Sequence, residues 1–265
     1  MSYANHMGFF RSFHVEGANK QKASGSSRYI PIKIKNVKKL TDQAFDEGKE
    51  VGDVIEDSCE ELAYMLSRSN SGVLFDTLVY SFREIMRNVV EHSNAKQFAF
   101  CSQYWPSYNK VEVALLDRGD GIRESLKRNP NLNIADDHDA LNFALMPGIS
   151  GRAFKGAPKQ RGNWANSGYG LYMTSRLARQ GGSYFIASGE TGMYLSEEKR
   201  RHLETPFKGV ALNLSFDVNR LSELKGSLGR FKDEAAGIAG KFKYGKNLEA
   251  SVASVMLRRD FRNDS

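Results

Sequence analysis

The chain has 265 residues, 38 Lys/Arg against 31 Asp/Glu, and 40% hydrophobic and 26% charged residues. That length suits one well-cored domain with appendages, and the composition is ordinary for a globular protein. No apolar run approaches the ~18 residues of a membrane span, and the N-terminus lacks the charge-then-apolar order of a secretion signal. Cys59 and Cys101 stand in no ligand or redox spacing, so a reduced, cytoplasmic setting without membrane attachment is expected.

The net charge of +7 is unevenly placed. Residues 1–40 hold eight Lys/Arg and one acidic residue, residues 41–220 hold 21 and 24, and residues 221–265 hold nine and six. The body is slightly acidic and the two ends are basic. Basic ends serve a nucleic acid, an anionic surface or simple solubility, and no aromatic-interleaved motif chooses among these.

In chain order, residues 1–27 are rich in Ser, Gly, Asn and Lys without period and read as a mobile segment. Residues 29–34 read as a short strand that Pro31 confines to an edge or a strand start. Apolar residues recurring from 42 to 68 predict one or two amphipathic helices, and residues 73–92 predict another, with Leu74, Leu78, Phe82, Ile85, Met86 and Val89 on its buried face. Strands follow at 98–101 and 111–116. A long Gly-, Asn- and Asp-rich stretch, 119–167, holds one short helix at 138–145, and loops this long are usually functional or disordered. Residues 170–180 read as a helix, followed by strands at 184–188, 193–195 and 210–216, with a charged excursion at 196–204. Two helices ahead of a meander favour an α+β class over βαβ alternation. Beyond residue 221, Gly226, Gly229, Gly237, Gly240 and Gly245 argue against one stable helix, whereas 248–261 is a better helical stretch, packing on its own body or on a partner.

Three segments carry chemistry. In Arg83-Glu84-Ile85-Met86-Arg87-Asn88, Glu84 and Asn88 are four apart and share a helix face, which should lie opposite the packed one. A carboxylate one turn from a carboxamide can polarise water while the amide oxygen helps hold Mg²⁺. In Leu115-Leu116-Asp117-Arg118-Gly119-Asp120-Gly121-Ile122, a strand delivers Asp117 to a glycine turn, where a carboxylate can accept from an exocyclic amine such as adenine N6. In Ser167-Gly168-Tyr169-Gly170-Leu171, Gly-x-Gly opens a helix whose N–H groups can face an anion. Ahead of it, Arg152, Lys155, Lys159 and Arg161 occupy a span from 148 to 167 that has no acidic residue, as suits a lid over phosphates.

In this order, the segments resemble the N box and the two glycine boxes of the GHKL superfamily, whose members include histidine kinases, anti-sigma kinases and gyrase-type ATPases; 207–214 resembles the closing strand. The resemblance spans residues 30–218. It implies a Bergerat-type two-layer α/β sandwich, a mixed, mostly antiparallel sheet with helices on one face, and an ATP lid. The domain would run from 28 to 220, between the basic segment 1–27 and a basic, partly helical extension 221–265. Carried over, Glu84 would activate water and Asn88 would bind Mg²⁺. Asp117 would read adenine in a pocket shaped by Gly119, Gly121 and Ile122. Gly168, Tyr169, Gly170 and Leu171 would meet phosphate with Lys155 and Arg161. The sequence departs from the family at Glu91, Asp120 and Val210 and in the 196–204 excursion.

The near-P-loop at 240–247 has Asn247 where Ser/Thr belongs and no strand before it, and His202-Leu203-Glu204-Thr205-Pro206 lacks phosphoacceptor spacing. Three readings remain open: slow ATP hydrolysis or phosphotransfer controlling a protein partner, an ATP-binding switch without turnover, and a nucleic-acid-associated ATPase. A homodimer is compatible with each.

Overall fold

The computed structural model describes residues 3–12, 25–26, 28–158, 162–239 and 250–262. Lys159, Arg161 and the near-P-loop stretch 240–247 lie outside the described residues, as does much of the basic N-terminal segment. Its described part forms two helical turns, α1 (Tyr3–His6) and α2 (Phe9–Ser12). They rest on the sheet edge through a Tyr3–Trp105 ring contact and a hydrogen bond from the Ile32 N–H to the Met7 carbonyl, 3.0 Å.

Strand β1 (Tyr29–Asn36) occupies the edge that Pro31 requires, and its register with the next strand shifts between Ile30 and Lys33. Asn36 ends it and caps α3 (Val37–Asp46) by accepting from the Lys39 N–H. The apolar pattern from 42 to 68 resolves into two helices, the second being α4 (Val51–Ser67), ended by Arg68 in the left-handed region. The central helix α5 (Val73–His92) follows.

Alternation then builds the sheet. In β2 (Gln97–Trp105) Phe98 and Phe100 are buried, and in β3 (Lys110–Asp117) Val111, Val113 and Leu115 are. Two short helices, α6 (Gly121–Leu126) and α7 (Asp137–Ala144), lie in the long stretch before α8 (Gly170–Ala178). Strands β4 (Ser183–Ser196) and β5 (Arg200–Asp217) close the sheet with Tyr184, Ile186, Leu212, Leu214 and Phe216 inside. The strand order is β1-β2-β3-β5-β4, and all pairings among them are antiparallel, more uniform than the mixed sheet expected. The alternate positions Ala99, Cys101, Ala114 and Leu116 are only partly buried or exposed, so the helices cover one face of an open α+β sandwich. No helix among the described residues is long and apolar enough to cross a membrane.

The charged excursion at 196–204 lengthens the closing β4–β5 hairpin: Thr191 pairs with Glu204 and Leu195 with Arg200, with Met193 and Leu195 buried. Two expectations need correction. The glycines after 221 do not prevent a helix: α9 (Leu224–Ala239) buries Leu224, Leu228, Phe231 and Ala235 in the main core, and that packing outweighs glycine's propensity cost. The stretch 248–261 is not one helix. Within the described residues it forms α10 (Val252–Val255) and α11 (Arg258–Arg262), with extended backbone at Met256 between them.

Candidate functional site

The end of α5, the β3–α6 turn, the segment before α8 and α8 itself line a cleft. Its cavity volume is about 90 Å³, below the ~300–1,000 Å³ usual for small-molecule sites, so the cleft is narrow. Its walls are largely apolar, with Val89, Ile122, Leu126, Ile149, Leu171 and Leu212 among them.

Asp117 lies on this wall at the last residue of β3. It is 2% exposed, and its carboxylate accepts from the backbone N–H groups of Gly119 (Oδ1, 2.7 Å) and Val210. Burial pushes it up to about 6 despite these donors, with Asp120 adding to the rise. Gly119 does not line the cleft. Its role is close packing: a β-carbon there would stand 2.0 Å from the Ser93 carbonyl oxygen, where the turn abuts the end of α5. Gly121 and Ile122 do line it, and the Ile122 N–H is held by Ser188 Oγ at 2.9 Å.

At the other end, Glu84 and Asn88 meet the start of α8. A β-carbon on Gly170 would lie 2.6 Å from Glu84 Oε2 and 3.7 Å from Asn88 Nδ2. The N-cap residue Tyr169 makes no side-chain cap, so the first turn of α8 faces the cleft without one. The Glu84/Asn88 face, expected opposite the packed one, is itself enclosed: neighbours surround α5, and Glu84 is 4% exposed. Its Oε1 sits 3.2 Å from Arg83 Nε and 3.8 Å from Arg87 Nη1. Asn88 Nδ2 is buried without a hydrogen-bond partner.

Gly168 and Leu171 line the cleft, and the Gly168 carbonyl accepts from the Gly148 N–H at 3.2 Å, drawing the two ends of the stretch 148–168 together. Tyr169 is not on the wall; it is 5% exposed and packs within the main core. Lys155 is exposed and away from the cleft, since the stretch carrying it turns toward Asn131, whose Nδ2 donates to the Lys155 carbonyl at 3.2 Å. Arg161 is outside the described residues.

Sequence reasoning missed a polar network over the mouth. Asn166 Nδ2 donates to His92 Nε2 (2.5 Å) and to Glu91 Oε2 (3.2 Å). Burial holds His92 down to about 4, with Arg152, Arg87 and Arg128 acting the same way against Glu91, so the imidazole is neutral and its Nε2 accepts. The position of His92 in the cleft was signalled only by its place one turn past Asn88. Ser254, also on the wall, comes from the C-terminal segment and had no local signal. Asp136, His138 and Asp139 cluster at the start of α7, but Asp136 Oδ1 caps the helix by accepting from the Asp139 N–H (2.8 Å), which accounts for the grouping.

No protein-family model matches the chain, and no curated protein matches it significantly.

Proposed function

We propose that the cleft binds Mg·ATP, as the resemblance to GHKL proteins implies. The observation that carries the reading is Asp117: a desolvated carboxylate in an apolar slot, held by backbone donors and facing no cation among the described residues, is costly unless a ligand uses it. An exocyclic amine such as adenine N6 supplies the missing donor. From there the cleft leads to Glu84, Asn88 and the uncapped start of α8, a suitable seat for phosphate. The partnerless Asn88 amide, beside that seat, fits a ligand to Mg²⁺; the bound ion would supply charge compensation on the phosphate oxygens.

In this reading the Glu84 carboxylate, on the cleft wall, accepts a proton from an attacking water or protein hydroxyl, and the neutral His92–Asn166 pair helps exclude bulk water. A protein partner would respond to the order of the lid. A second reading, nucleotide binding without turnover, is favoured by the ion pairing of Glu84 Oε1 to Arg83, which commits part of that carboxylate to structure. Incubating the protein with Mg·[γ-³²P]ATP separates the two. Free phosphate or protein-bound label establishes an enzyme, whereas saturable binding with neither establishes a switch.

A further inference from the structure

Residues 251–262 return from the far end of the chain and lie across both the central helix and the lid. Tyr80 Oη donates to the Ser254 carbonyl (2.7 Å), and Arg83 Nη2 donates to the carbonyls of Ala253 and Met256. The Arg258 N–H donates to Glu56 Oε1 (2.9 Å), and its guanidinium meets the Asp53 carbonyl, Asp57 and Glu60. The same segment holds the lid. The Ala253 N–H donates to the Asn163 carbonyl (3.2 Å), and Ser251 and Ser254 share hydroxyl hydrogen bonds with Ser167.

Trp164 sits where these contacts meet. Its ring is 5.4 Å from Phe261, edge to face, and lies beneath the guanidinium groups of Arg83 (5.5 Å) and Arg87 (5.3 Å). It also fills the space that a side chain on α4 would occupy: a β-carbon on Gly52 would stand 2.3 Å from the indole. The indole is thus a plug in a slot with three helical walls, and α11 forms one of them. Arg83 is common to everything, because one fully buried guanidinium bonds Glu84, Glu56 and the C-terminal carbonyls.

We infer that residues 251–262 are an intramolecular latch on the lid. While they are docked, Trp164 stays in its slot, Asn166 stays on His92, and the cleft keeps the narrow width described above. Undocking removes one wall of the slot and the Ser254 wall of the cleft, freeing residues 162–168 to move and a nucleotide to enter. The latch is a regulatory addition to the nucleotide reading and rests on it for its purpose, although its hold on the lid does not depend on that reading.

The test uses the full chain carrying Trp105→Phe, which leaves Trp164 as the single tryptophan of the two. Acrylamide quenching then reports Trp164 exposure, and a fluorescent N-methylanthraniloyl ATP reports entry. These are compared in the parent, in Arg258→Glu and in a chain ending at residue 250, with circular dichroism verifying the fold. The latch predicts greater quenching in both variants and nucleotide association faster by about tenfold, as when a competent state rises from roughly a tenth of the population to most of it. Unchanged quenching in a folded Arg258→Glu protein overturns the latch. Greater quenching with unchanged association overturns its gating role. Greater quenching while no form of the protein binds nucleotide supports the hold on the lid and refutes the nucleotide reading instead. Should the shortened chain fail to fold, Arg258→Glu decides alone.

Discussion

Glu84 Oε2 stands 2.6 Å from the point where a β-carbon on Gly170 would lie, so helices α5 and α8 approach at the carboxylate with room for hydrogen only. Two segments that are far apart in sequence therefore depend on each other sterically. Gly170→Ala should destabilise the protein by about 1–3 kcal/mol through overpacking, although alanine favours a helix. Gly229→Ala on α9, with open space around the position, should stabilise by about 0.5–1 kcal/mol. Urea unfolding of the pair measures both signs. Equal effects would mean that the contact with Glu84 yields freely.

Asp117 gives a stability prediction that opposes its function. Its folded pKa is raised from 3.8 to about 6, so the native state binds more protons than the unfolded chain between these values. Stability from this group is therefore lost as pH rises through that window, and the loss is complete above pH 6. Asp117→Asn should recover up to about 3 kcal/mol at pH 7.5 and close to nothing below pH 4. Thermal unfolding of both proteins across pH 3.5–8 checks this. A gain that persists at pH 3.5 would show that burial of the charge is not its source.

His92 runs the other way. Its folded value is lowered from 6.5 to about 4, so the unfolded chain binds the extra proton and stability falls as pH drops from 6.5 toward 4. Protonation also turns Nε2 into a donor facing the Asn166 amide, which weakens the hold on the lid. Protection factors in residues 162–168, corrected for the intrinsic pH dependence of amide exchange, should fall at pH 4 relative to pH 7, and His92→Gln should flatten the difference. Protection factors that are independent of pH in the wild type contradict the role given to His92.

Arg83 should be the least replaceable cation in the fold. Arg83→Met leaves Glu56 and Glu84 buried without their shared partner and frees two C-terminal carbonyls, which should cost about 3–5 kcal/mol in chemical denaturation. A cost below 1 kcal/mol would show that the two carboxylates find other partners.

The features legible in the sequence are those written locally. The period of α5, the apolar run into the Asp117 turn and the Gly-x-Gly before α8 each lie within a few residues, and each occurs where it was read. The enclosure of Glu84 was not legible, because Glu56 and the C-terminal carbonyls that fix its neighbour Arg83 come from distant chain. Nor could composition reveal that Leu224, Leu228 and Phe231 carry Gly226 and Gly229 into a helix, since this depends on packing against the core. The stretch 148–167 was read as a lid from its basic residues, whereas its described contacts centre on Trp164, an aromatic plug whose slot at Gly52 exists only in three dimensions.

The catalytic reading separates Glu84 from Asn88. Glu84→Gln should leave ATP affinity within a few-fold and lower any turnover by about 10²-fold or more, the range of general-base catalysis. Asn88→Ala should weaken the Mg²⁺-dependent part of binding. Turnover that survives Glu84→Gln removes the carboxylate from the mechanism and leaves it to its bond with Arg83.

Calorimetric titration of Mg·ATP and Mg·GTP into the wild type and Asp117→Ala tests the central claim most directly. A buried charge-assisted hydrogen bond is worth roughly 1.5–3 kcal/mol, so ATP should bind the wild type saturably and Asp117→Ala about tenfold or more weakly. Guanine presents a carbonyl oxygen where adenine presents N6, so Mg·GTP should bind the wild type less well by a similar factor. No saturable heat with ATP, or equal affinity in a folded Asp117→Ala protein, would contradict adenine recognition at this carboxylate.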